Sequence, residues 1–191
     1  MCFETEYCYI FTGGPGGGKT TVLKQLQEMG CPVVEESGRK IIQNQVATGG
    51  NALPWGNVSR YARLMYLHAV LDYEEYAHLK EPCFFDRGIG DVLGYCRLIG
   101  LPVPGEYVKT AEKYRYNKCV FLFPFWEEIY TGDGERKQNI QEARETCRVL
   151  QETYETLGYE IVPVPYGTPA ERAEWIAART GTGRKGPGRQ N

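Results

Sequence analysis

Gly13-Gly14-Pro15-Gly16-Gly17-Gly18-Lys19-Thr20 is the stretch on which the reading of this 191-residue chain turns, because it fits the pattern G-x-x-x-x-G-K-[ST]. Its flanks make the pattern chemically meaningful. Before it, Tyr7-Cys8-Tyr9-Ile10-Phe11-Thr12 has the apolar, β-branched and aromatic character of a strand. After it, Thr20 to Met29 carries Val22, Leu23, Leu26 and Met29 at helical spacing, and Gly30 follows as a stop. A loop between a strand end and a helix N-terminus can turn its backbone N–H groups toward a polyphosphate, and glycines remove the Cβ atoms that would block close approach. The binding set is then Gly13, Gly14, Pro15, Gly16, Gly17, Gly18, Lys19, Thr20 and Thr21. Lys19 neutralises phosphate charge, and Thr20 offers a hydroxyl to Mg²⁺, a hard ion that prefers oxygen. The bland alternative is a flexible turn that happens to precede a lysine.

The bulk properties narrow the field. The chain is long enough for one well-buried domain, expected over residues 1–179. Hydrophobic residues make up 42% of it, yet no apolar run reaches the length of roughly 20 residues that a spanning helix needs. Two acids and no base in the first six residues do not suit a secretory leader, so a cytoplasmic location is the default expectation. A formal net charge of −2 gives no strong nucleic-acid signal. The seven cysteines are scattered and never form C-x-x-C, and the two histidines, His68 and His78, lie ten apart. Neither pattern predicts a zinc site.

Strand-like runs at 7–12, 31–35, 83–86, 118–123 and 159–164 alternate with helical stretches, which predicts an α/β fold with a parallel sheet covered on both faces. A helix is expected from Val58 to Leu79 after the irregular segment Thr48 to Asn57, and others over Asn139 to Leu157 and Pro169 to Arg179. The polar, glycine-bearing segment around 130–138 is expected to be a mobile lid, and the basic, glycine-rich residues 180–191 a disordered tail.

Three further segments suit a phosphoryl-transfer site. The third strand runs into Asp86-Arg87-Gly88, where an acid at a strand carboxyl end can support the metal and Arg87 can face the charge that develops on the moving phosphoryl group. Asp86 as a helix cap is the competing account. The second strand ends in Glu35-Glu36-Ser37-Gly38-Arg39. Glu36 is the first choice for the carboxylate that orients an acceptor hydroxyl and takes its proton, with Glu35 in reserve and a plain helix-start acid as the alternative. In the lid, Arg136 is the candidate to close over the phosphates, ahead of Arg144. Trp55, Arg60, Arg63, Tyr95 and Arg97 are candidates for gripping the acceptor.

Read in order, Phe11 to Thr21, Val34 to Arg39, Phe85 to Asp91, Tyr95 to Gly100, Phe123 to Tyr130, Asp133 to Arg136 and Leu157-Gly158-Tyr159 resemble the P-loop family of AAA-type domains related to ribosylnicotinamide kinase and the translocation-defect nucleotide-binding proteins. The resemblance implies a three-layer, nucleoside- or nucleotide-kinase-like core with a five-stranded parallel sheet in the order 2-3-1-4-5 and an arginine-bearing lid. It also implies that Mg²⁺ and ATP, or GTP, are bound and that a γ phosphoryl group passes to a small nucleoside- or nucleotide-like acceptor. A nucleotide-dependent switch without small-molecule kinase activity is the alternative. Gly17 stands where related loops often carry serine, and Val120 stands where the Asn-Lys-x-Asp guanine motif would need aspartate.

Overall fold

The computed structural model describes residues 3–129 and 140–182. The expected lid at 130–138, with Asp133 and Arg136, therefore lies outside the described residues, as does the tail from 183 onward.

The chain opens with β1 (Phe3–Glu4) and β2 (Cys8–Thr12), followed by α1 (Lys19–Glu28), β3 (Val33–Val34), α2 (Ser37–Thr48) and α3 (Val58–Tyr76). It continues through β4 (Cys83–Asp86), α4 (Ile89–Leu98), α5 (Gly105–Lys113), β5 (Tyr114–Arg115) and β6 (Cys119–Leu122). A 3₁₀ turn at Glu127–Ile129, α6 (Ile140–Thr156), β7 (Glu160–Pro163) and α7 (Pro169–Thr180) complete it. The main sheet is parallel throughout and runs β3-β4-β2-β6-β7, so its own five strands follow the order 2-3-1-4-5. Neither α5 nor the small parallel pairing of β1 with β5 is among the expected elements.

Alternation along the strands divides the core into two layers. Cys8 and Ile10 of β2 face a cluster with Phe85, Val120, Leu93 and Tyr154, under α3, α4, α5 and α6. Phe11, Phe84, Phe121 and Phe123 face the other way, onto Val22 and Leu26 of α1 and Ile176 of α7. The fully buried Phe11 ring lies 4.9 to 5.6 Å from those of Phe123, Phe84 and Phe121. Truncating it to alanine would cost about 3–5 kcal/mol. Among the described residues no helix is long and apolar enough to cross a membrane.

Local chemistry sets the helix ends. The Asn57 side chain accepts from the Arg60 N–H at 3.0 Å to start α3. Thr168 and Glu171 cap α7 reciprocally, with Pro169 in its first turn. The α3 helix ends at Tyr76, short of the expected Leu79, and His78 follows it on an exposed turn. The described cysteines are free thiols; Cys8 and Cys83 sit buried in strands, where burial pushes the Cys8 thiol up to about 11 against a weak hydrogen bond from Thr5.

Candidate active site

Strand register assembles the site at one rim of the sheet. Asp86 pairs with Phe11, and the Arg87 N–H donates to the Phe11 carbonyl at 3.0 Å, so Asp86 and Arg87 emerge beside the start of the phosphate loop. Val34 pairs with Phe85, which brings Glu36 level with Arg87. On the other side, the Phe123 N–H donates to the Thr12 carbonyl at 2.9 Å and brings Phe123 and Pro124 against the glycines.

Those glycines are there for contact as well as freedom. Gly13 has φ of 127°, and a Cβ on it would lie 2.4 Å from the Phe123 carbonyl oxygen. A Cβ on Gly17 would lie 2.9 Å from both the Phe123 carbonyl oxygen and its Cβ, so this loop has no room for the serine of related loops. Lys19 is buried and donates through Nζ to the carbonyls of Gly13 at 3.0 Å and Gly14 at 2.9 Å. Burial, and then the charge of Arg87, lower its pKa to about 8, although Asp86, Glu36 and Asp91 pull the other way. Thr20 is exposed in the same cavity, and Thr21 donates to the Gly18 carbonyl at 2.8 Å.

Next to the loop stands a charge cluster centred on Arg87, the one non-glycine residue at positive φ, 80°, among the described residues. Its Nε donates to Glu36 Oε1 and its Nη1 to Asp91 Oδ1, both at 3.0 Å. Burial opposes its charge, but the carboxylates of Glu36, Asp91 and Asp86 outweigh burial and hold the guanidinium protonated. Asp91 is fully engaged: Oδ1 also accepts from Thr12 at 2.7 Å, and Oδ2 accepts from Tyr154 at 2.6 Å and from the Gly88 N–H at 2.9 Å. Asp91, and not Asp86, therefore serves the start of α4. Asp86 is buried and its Oδ1 has no partner among the described residues. Burial, then the nearby Glu36 carboxylate, raise its pKa to about 6.

The other candidates divide. Glu35 is largely exposed and pairs with Lys40 at 2.9 Å, leaving Glu36 as the acid in contact with Arg87. Trp55 and Tyr95 line a cavity of about 350 Å³ that opens beyond Glu36 and Arg87. The expected grip by arginines is not there: Arg60 is exposed on α3, Arg63 pairs with Glu106 on the surface at 3.2 Å, and Arg97 donates to Thr153 at 3.1 Å. None of the three lines the cavity. Arg144 pairs with Glu127 at the surface at 3.2 Å.

Sequence reasoning missed two residues. Asp91 could have been found from its i, i+4 spacing to Arg87 at a helix start. Arg172 had only the signal of a lone arginine beside Ala173, Ile176 and Ala177 on the inward face of α7. It is 2% exposed, stacks over Phe123 at 4.8 Å, and donates through Nη1 to the Gly17 carbonyl at 2.9 Å. Its Nε and Nη2 have no partner among the described residues.

Solved structures share this fold. NadR in complex with NR superposes with a TM-score of 0.62 at 19% identity, covering 97% of this chain and 53% of NadR, so the chain spans about half of that protein's length. Deoxyadenosine kinase from M. mycoides with bound dATP gives 0.60 at 13% identity, covering 92% of this chain and 100% of that one. Shikimate kinase from Acinetobacter baumannii in complex with shikimate gives 0.55 at 17%, covering 92% of each. At these identities the likeness is one of fold, an α/β parallel-sheet fold of the kinase type. A search of curated protein sequences finds no significant match. The sequence profile of the family described as AAA domain matches residues 8–172, most of the chain, and the chain belongs to that family of P-loop proteins.

Proposed function

We propose that this chain is a Mg²⁺-dependent kinase that transfers the γ phosphoryl group of ATP or GTP to a hydroxyl of a small nucleoside-like acceptor. One observation carries the reading: a cavity over the phosphate loop and a second, mainly apolar cavity meet at Pro15, Glu36, Asp86 and Arg87. A pure nucleotide switch needs only the first.

The loop N–H groups and Lys19 hold the triphosphate, and Lys19 leaves the Gly13 and Gly14 carbonyls to do so. The unpartnered oxygen of Asp86 and the exposed hydroxyl of Thr20 fit a hard divalent ion. Held by these two residues, Mg²⁺ would neutralise charge on the phosphates. Glu36 orients the acceptor hydroxyl and takes its proton as the oxygen bonds to the γ phosphorus; the bond from phosphorus to the β–γ bridging oxygen breaks and the nucleoside diphosphate leaves. Arg87 keeps Glu36 in place through the Nε contact and adds positive charge at the junction. Arg136 is proposed to close over the phosphates, in a segment outside the described residues.

The test is a transfer assay with radiolabelled ATP and GTP against a panel of small hydroxyl acceptors. Phosphorylation of an acceptor that falls in Glu36→Gln supports the reading. Hydrolysis or nucleotide-driven conformational change with no acceptor product would replace it with the switch.

A further inference from the structure

Resting on the kinase reading, we propose that the acceptor is a planar, ring-bearing molecule with no anionic group, neutral or cationic: a nucleoside in form and not a nucleotide. The cavity that receives it is aromatic and acidic. Tyr61, Tyr95 and Phe85 form its walls, with Tyr61 and Tyr95 edge to face at 5.6 Å. Trp55 stands at its mouth with 62% of its surface exposed, a large ring left in water beside an apolar opening. Such walls suit stacking against a flat ring.

The charges point the same way. Five carboxylates line the cavity: Glu35, Glu36, Asp72, Asp86 and Asp91. Among the described residues the one cationic lining group is Arg87, and two of its donors are committed to Glu36 and Asp91 at 3.0 Å. Lys40, which pairs with Glu35, lines not this cavity but an adjoining cleft that shares Glu35, Ser37 and Asp72 with it. Arg60, Arg63 and Arg97 do not reach in. A phosphate or carboxylate on the acceptor would enter a low-dielectric space facing like charge and would lose its hydration without a donor fork to replace it. A neutral ring loses nothing of that kind, and a cationic ring gains from the carboxylates. Asp72 is half-buried, and burial raises its pKa although His68 and Lys40 pull the other way.

The experiment uses the full chain with a non-hydrolysable ATP analogue and Mg²⁺, and measures binding of matched pairs by calorimetry. The probes are adenosine, cytidine, thymidine and ribosylnicotinamide, each against its own 5′-monophosphate, with shikimate as a further anionic probe. At least one nucleoside is expected to bind about ten-fold or more tightly than its monophosphate, with shikimate not binding. Asp72→Lys is expected to narrow that gap. Equal or tighter binding of the monophosphates, tight binding of shikimate, or no binding by any probe would overturn the inference. Nucleoside preference in binding with no phosphoryl transfer in the parallel assay would leave the charge rule standing and remove the kinase reading instead.

Discussion

On its proposed nucleotide side the site is mostly main chain: nine consecutive residues, Gly13 to Thr21, in which a side chain on Gly13, Gly14, Gly17 or Gly18 would collide with its neighbours. On its acceptor side it is made of side chains drawn from α2, α3, β4, α4 and α6, which meet only when the helices have packed. The first region tolerates almost no change of shape and is indifferent to what lies beyond the phosphates. The second is open to change at its walls and, in the proposed kinase, sets the choice of acceptor.

The two regions should separate under mutation. The largest effect is expected for Lys19→Ala, which removes the buried cation proposed to hold the phosphates and should weaken nucleotide binding by about 10²–10³ while leaving acceptor binding within about two-fold. Calorimetry with each ligand alone checks this. Equal loss of both would show that the regions are not independent. In the intact protein the lowered Lys19 pKa, about 8, has a sign: only the ammonium attracts phosphate, so nucleotide binding should weaken as pH rises through about 8, with proton uptake on binding above it.

Glu36→Gln should lower acceptor turnover by about 10² with nucleotide affinity little changed, since the charge acts at the junction and not on the loop. Glu35→Gln serves as the control, and a larger loss there would exchange their roles. Gly17→Ser tests the rigid side through stability: the new Cβ meets the Phe123 main chain, and a cost of about 1–3 kcal/mol is expected in chemical denaturation. A stable, active serine variant would mean that Phe123 and Pro124 give way more readily than their packing implies.

Asp86 links the two regions through pH. Its folded pKa is raised to about 6, so the contribution of its protonated form to stability is present below the ordinary carboxylate range and is lost as pH rises through about 6. Thermal melts between pH 4 and 7 should show that decline in the wild type and a shallower one in Asp86→Asn. Parallel profiles would assign the titration to another group. The smallest effect is expected at the rim, where Trp55→Ala should raise the acceptor KM about ten-fold with melting temperature and nucleotide affinity unchanged.

The same contrast explains what could be read from the residues alone. The phosphate loop, the acids at the strand ends and the strand order follow from local pattern and from the resemblance, and all five sheet strands fall within a residue or two of where the apolar runs put them. The direction of Arg60, Arg63 and Arg97 is set by helix rotation about an apolar face, which one surface arginine does not reveal. Asp91 and Tyr154 meet across 63 residues, and no motif spans that distance. The helix α5 went unseen because Gly105-Glu106-Tyr107 begins without a strong side-chain cap.

The contact between Arg172 and the Gly17 carbonyl joins residues 155 apart. A chain emerging from the ribosome makes its phosphate loop first and the helix that braces it last. For most of its synthesis the protein carries a loop that lacks this brace, and competence to hold nucleotide firmly arrives with α7. Firm nucleotide capture is thus expected only once α7 has docked on the phosphate loop.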